Sequence, residues 1–205
     1  MKKIIINISR EFGCNAREIG RQLASKLAVE FHDKDLIDLT AERVGINKDL
    51  FEESDAIVDK TQKGLFKSFG YGSSTNFYDE KAILAQAEVI KELANRGESC
   101  IFFGRCSDYI LREYPNCLNI FLYAPLAARI KHIARDYDLD EKSAEKLIRR
   151  VDKQRHNYYK YVTGKNRGDR EYKQVMLDVS EFGIEETVNI LYHIVLEHTE
   201  QRKGI

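Results

Sequence analysis

The sequence predicts an α/β fold, a three-layer sandwich with a central five-stranded parallel sheet between helices. Residues 3–8, 99–103 and 118–123 are strand-length apolar runs without alternating wet and dry positions, the pattern of strands covered on both faces. Between them stand segments whose apolar residues recur every three to four positions, as in amphipathic helices. Strand and helix alternate along the chain, which is how a parallel sheet with crossover helices is encoded.

Taken in order, the chain opens with an isoleucine-rich strand at 3–8, expected at the centre of the sheet. Residues 9–16 form a turn. A helix then begins at Arg17, with Ile19, Leu23 and Leu27 on one face and Arg21, Gln22 and Lys26 opposite. A short strand at 30–32 leads to helices at 36–44 and 48–57. The glycine- and serine-rich stretch 67–76 reads as a long surface loop, a kind of segment that often covers or binds something. Asp79 is placed to cap the next helix, whose stripe of Ile83, Ala87, Ile90 and Ala94 stops at Gly97. The strand at 99–103 runs into the turn Gly104-Arg105. After the strand at 118–123, Pro125 suits the first position of a helix. A long helix covers 140–162, a last strand 175–179 and a last helix 184–197.

Composition narrows the function classes. The chain has 205 residues, 43% hydrophobic and 32% charged with two prolines, enough for one domain with a substantial core. Its 33 basic and 33 acidic residues cancel, so nothing favours a polyanion, and nucleic acid is not an expected partner. The apolar run at the start ends too soon for a signal peptide and no stretch approaches a membrane span, so no membrane association is expected. The four cysteines, at 14, 100, 106 and 117, lack metal-ligand spacing. They read as free thiols of a cytoplasmic protein, and no protein-borne metal site is expected. The five histidines show no nucleophile or metal pattern.

Ligands of parallel sheets bind beyond the carboxyl ends of the strands. That directs attention to residues 9–17, 33–35, 104–105 and 178–180. In the first of these, Gly13, Cys14, Asn15, Ala16, Arg17 and Glu18 lead from strand into helix. Backbone N–H groups and the helix dipole there favour an anion. The phosphate-loop pattern G-x-x-x-x-G-K-[ST] is absent, and a plain connection with a solvated Arg17 fits this stretch equally well. In the long helix, Leu147, Ile148, Val151, Tyr158 and Val162 gather on one stripe at about 100° per residue. Arg155 falls within the stripe and Asp152 on its edge. An inward guanidinium requires a carboxylate or a phosphate, because an unpaired buried charge is costly. Arg150 and Lys153 read as solvated. Glu11 and Asp33 each follow a strand, and either suits Mg²⁺ held through water or an arginine to be oriented.

Several segments, in order, resemble cytidylate kinases and their cytidylate-kinase-like branch. Ile8 through Gly13 and Arg17-Glu18-Ile19-Gly20 are similar to that branch's first loop, S-R-E-[FY]-G-S-G-G-R-E-I-G, with Cys14, Asn15 and Ala16 replacing Ser, Gly and Gly. Phe31 through Ile37 resembles F-Y-D-K-E-L-I. Ile101 through Arg105 resembles the strand and G-R turn whose arginine grips the acceptor nucleotide. Tyr158 through Lys165 resembles Y-Y-x-x-Y-T-G-K, and Leu177 through Ser180 resembles L-D-x-S. Arg149, Asp152 and Arg155 echo the R-D-x-x-D-x-x-R element of the lid, Arg149 standing one residue later than its first arginine. The likeness runs nearly from Met1 to Leu196.

The resemblance implies a single P-loop NTPase-like domain over 1–205, with an acceptor-side insert at about 47–79 and a helical lid at about 138–170. It implies phosphoryl transfer from ATP, with Mg²⁺, to a nucleoside monophosphate such as CMP or a similar small acceptor. The loop 13–18 would cradle the donor phosphates, with Arg17 replacing the lysine that falls where Ala16 stands. Asp33 and Arg105 would serve the acceptor, and Arg149 and Arg155 would close with the lid on the migrating group. The rival reading is a phosphate- or nucleotide-binding module that keeps the fold without turnover, which the missing lysine and glycines favour.

Overall fold

A computed structural model of the chain describes residues 3–45 and 80–201. Its five strands are β1 (Ile5–Arg10), β2 (Glu30–His32), β3 (Cys100–Phe103), β4 (Cys117–Tyr123) and β5 (Val175–Asp178). All four pairings are parallel and the order is β2-β3-β1-β4-β5, so the isoleucine-rich first strand is central, as the sequence predicts. Ile5 pairs with Cys100 on one side and Cys117 on the other. The helices packed on both faces explain why β1 carries no wet face: its six residues are all buried.

The described helices are α1 (Ala16–Leu27), α2 (Asp35–Val44), α3 (Glu80–Asn95), α4 (Ser107–Ile110), α5 (Leu126–Tyr137), α6 (Glu141–Thr163) and α7 (Val179–Gln201), the last kinked at Gly183. Alternate residues of β1 supply the two faces. Ile4, Ile6 and Ile8 pack with Ile19 and Leu23 of α1 and Leu191 and Val195 of α7. Ile5 packs on the opposite side with Phe102, Leu36 of α2 and Val89, Ile90 and Leu93 of α3. Each such isoleucine or leucine contributes roughly 1.5–3 kcal/mol by leaving water. The result is the three-layer sandwich expected.

Two local expectations shift. The inward face of α3 is Ala82, Ala85, Val89 and Leu93 together with Ile90 and Ala94, whereas Ile83 and Ala87 stand at its margin. The helix touches both α2 and α4, so the buried stripe is broader and turned from the one its sequence predicts. Pro125 is the residue before α5, extended at ψ 142°, and does not lie within it. The expected helix at 48–57, the loop at 67–76 and the cap Asp79 lie outside the described residues.

A third cluster stands apart from the sheet. Ile133 of α5 packs with Ala144, Leu147, Ile148 and Val151 of α6, and the ring of Phe12 from the first loop is buried among them. The stripe predicted for α6 is therefore real in its first half. Asp140 caps the helix by accepting from the Ser143 N–H at 2.9 Å. Its second half is fixed elsewhere: the Tyr158 hydroxyl donates to Gln86 of α3 at 3.0 Å and the Tyr159 hydroxyl to Asp108 of α4 at 3.1 Å.

Candidate functional site

At the carboxyl end of β1 the chain turns through Gly13 into α1 and lines a cleft. Its described walls are residues 10–18 with Phe103, His132, Ile133 and Arg155. Gly13 has φ +86°, and a Cβ there would lie 2.9 Å from Cγ1 of Ile133, so both backbone and space require glycine. Asn15 is left-handed at φ 57°, a conformation asparagine tolerates better than most residues. Ala16 already begins α1. The two replaced glycines thus cost the loop little: one position is taken by asparagine and the other is helical.

Among the described residues no carbonyl or side chain accepts from the N–H of Gly13, Cys14, Asn15 or Glu18, while Ile19 N–H bonds the Asn15 carbonyl. These residues and the start of α1, the positive end of its dipole, line the cleft. Burial pushes the Cys14 thiol up to about 11, the Ala16 N–H opposing in part. Cys14 is therefore a neutral packing residue, not a nucleophile.

Three arginines share this cleft. Arg10, at the end of β1, lays its guanidinium carbon 3.9 Å from the centre of the Phe103 ring. Arg17 forks onto Asp33, Nε to Oδ2 at 2.7 Å and Nη2 to Oδ1 at 3.4 Å, and its guanidinium lies 5.6 Å from the same ring. Arg155 stands 5.5 Å over the Phe12 ring. The structure thus brings Arg17, Arg155 and the loop 13–18 together, and places Asp33 behind Arg17.

It does not bring Arg149 there. That side chain is 65% exposed and pairs with Glu145 one turn back at 2.7 Å, the solvated-face arrangement of an (i, i+4) pair. Arg105 follows β3 in a left-handed conformation, φ 57°, and is not among the described residues lining the cleft. Glu11 accepts from the Ala124 N–H at 3.3 Å and meets Arg129 at 3.3 Å, so in the described structure both watched carboxylates orient arginines. Among the described residues there is no group of three or more Asp, Glu, His or Cys side chains suited to a metal.

Several residues of the site were not singled out from sequence. Arg10 is one, although it stands at the end of an apolar strand and at the R of the first-loop pattern. Arg129 and Arg167 are others. Arg129 is buried and donates to the Ala124 and Phe12 carbonyls and to Asp152. Arg167 donates to the Arg10 carbonyl and to Asp152. Elsewhere, Lys173 and Asp108, 1% and 2% exposed, form a salt bridge beside Tyr159. Burial and then the Asp108 charge push the Tyr159 hydroxyl far up, so it remains a donor.

No curated protein matches the chain. Among solved structures, an uncharacterized protein from Eubacterium ventriosum is 21% identical with TM-score 0.71, covering 96% of this chain and 99% of its own. Shikimate kinase from Acinetobacter baumannii, solved with shikimate, is 17% identical with TM-score 0.53 over 95% and 94% of the two chains. A gluconokinase from Sinorhizobium meliloti is 14% identical with TM-score 0.53 over 97% of each. Likeness at these identities concerns the fold, which is that of P-loop kinases. The sequence profile described as the cytidylate kinase-like family matches residues 5–181, and the chain belongs to that family.

Proposed function

We propose that the protein is a phosphotransferase that moves the γ-phosphoryl group of ATP onto a nucleoside monophosphate such as CMP, or a similar small acceptor. The observation that carries the proposal is the cleft: loop residues whose amides have no acceptor among the described residues, the α1 N-terminus, and Arg10, Arg17 and Arg155 share one space at the carboxyl end of the central strand. Phosphoryl transfer needs little covalent chemistry from a protein; positioning and charge cancellation supply most of the rate.

In this reading the loop 13–18 receives the donor phosphates and Arg155, from the helical lid, sits on the migrating group. Arg17, aimed by Asp33, and Arg105, at the end of β3, serve the acceptor side. Arg149 has no part in it. Mg²⁺ arrives with the nucleotide, taking its oxygens from phosphate and water. The free thiols, of which Cys14, Cys100 and Cys106 are buried, suit a cytoplasmic protein.

A second reading, a nucleotide-binding module without turnover, is favoured by one observation. Ala16 is buried where the family's lysine falls, and Arg17 commits its fork to Asp33. ADP release from Mg·ATP with CMP, UMP, AMP and GMP, run beside calorimetric binding of Mg·ATP, separates the two. Turnover with any acceptor, lowered by Arg155→Ala, supports the phosphotransferase. Binding without turnover supports the module, and absence of both removes both.

A further inference from the structure

Of the four glycines in its family pattern the first loop keeps Gly13 and Gly20 and lacks the two at 15 and 16, yet its backbone is held from outside at three points. Asp152, midway along α6, accepts from the Phe12 N–H at 3.0 Å and from Arg167 Nη2 at 2.9 Å through Oδ1. Its Oδ2 accepts from Arg129 Nη1 at 2.6 Å. Arg129 Nη1 also donates to the Phe12 carbonyl at 3.2 Å, and Arg167 Nη1 to the Arg10 carbonyl at 2.9 Å. One carboxylate and two arginines therefore grip the Arg10 carbonyl, the Phe12 amide and the Phe12 carbonyl. The Phe12 ring adds a fourth point, buried between α5 and α6.

We infer that Asp152, bracketed by Arg129 and Arg167, is a positioning residue that holds the first loop in its phosphate-receiving shape, and that loop order depends on α6 being docked. The side chains of Asp152, Arg129 and Arg167 are 20%, 9% and 12% exposed, so the charges act where water screens them little. Both carboxylate oxygens are taken, and each arginine also reaches a carbonyl. Such a satisfied network rigidifies what it touches. Nothing in it faces the cleft directly, since of these side chains none lines it. Asp152 acts through the backbone of residues 10–12, immediately before Gly13, Cys14 and Asn15, whose amides have no acceptor among the described residues. Because α6 also carries Arg155, the same contact sets the distance between that arginine and the loop. The name of the ligand rests on the proposed function; the control of loop shape does not.

Amide hydrogen exchange without nucleotide, comparing wild type with Asp152→Asn and Arg167→Gln, tests this, with Mg·ATP affinity as second readout. Asparagine keeps an acceptor for the Phe12 N–H but loses the charge that holds both arginines. Exchange in peptides covering 10–16 then rises relative to β3 (Cys100–Phe103) by roughly ten- to a hundredfold, and Mg·ATP binding weakens in proportion. Arg167→Gln, which frees only the Arg10 carbonyl and one carboxylate contact, gives a smaller rise in the same peptides. It carries the test if the first variant does not fold. Equal rises in loop and β3 mean a general loss of stability and overturn the inference, as does an unchanged loop. A wild type that fails to bind Mg·ATP while the variants loosen the loop leaves the positioning intact and removes the phosphotransferase reading.

Discussion

Lys173→Met isolates the buried salt bridge between Lys173 and Asp108. Lys173 and Asp108 are 1% and 2% exposed, and Asp108 receives the lysine ammonium and the Tyr159 hydroxyl on the same oxygen. Its other oxygen has no hydrogen-bond partner among the described residues. Methionine nearly matches the lysine stem in volume, so the substitution removes charge and leaves little cavity. What remains is a buried carboxylate with one hydroxyl donor. Removing one partner of such a pair costs about 3–5 kcal/mol, whereas replacing both by apolar groups is often close to neutral. For a chain of this size that corresponds to a fall in Tm of roughly 6–20 °C. Calorimetry and urea unfolding measure it, with Lys173→Met/Asp108→Leu as the second arm. The double variant regains most of the loss, less the Tyr159 hydrogen bond. A single variant within about 1 kcal/mol of wild type, or a double variant worse than the single, refutes this reading of the pair.

Other outcomes follow from the cleft. Gly13→Ala places a Cβ against Ile133 at φ +86°. It lowers stability by about 1–2 kcal/mol for the backbone alone, read by urea unfolding, and a neutral result removes the geometric argument for glycine. Gly104→Ala drives a Cβ into the Arg10 guanidinium; it displaces Arg10 from Phe103 and weakens binding of Mg·ATP or acceptor by calorimetry, whereas unchanged affinity for both removes Arg10 from the site. Arg155→Ala lowers kcat/KM steeply with Tm near wild type, because the lost contact acts on transferring charge; an unchanged kcat/KM with CMP excludes that role. Cys14 and Cys100, their thiols pushed up to about 11 and about 12 chiefly by burial, remain unlabelled by a thiol reagent at pH 8 until the protein unfolds. Rapid labelling of Cys14 in the native state contradicts the packed loop.

The sheet was legible because its inner strands β1 and β3, covered on both faces, bury every residue. β1 announces itself as isoleucine after isoleucine, and its central place follows from that lack of a wet face. The first loop was legible as a strand-to-helix turn, and Arg17 and Arg155 as residues worth following into the cleft. Arg149 was not separable from them, since an arginine on a helix face reads alike whether it turns to a ligand or to a glutamate one turn away. The partners of Asp152 were beyond reach for a different reason. Arg129 and Arg167 come from other segments, and only the packing of α5 against α6 and the path after α6 bring them to one carboxylate. Lys173 and Asp108 leave even less trace: a lysine and an aspartate near turns resemble solvated residues until the fold closes over them.

The most direct measurement is a crystal structure with Mg²⁺ and a non-hydrolysable ATP analogue. The β- and γ-phosphates are expected within hydrogen-bond distance of the amides of residues 13–18, with the Arg155 guanidinium on the γ-phosphate and the Asp152 contact to Phe12 intact. An analogue bound elsewhere, or phosphates that meet none of those amides, contradicts the assignment of this cleft as the donor site.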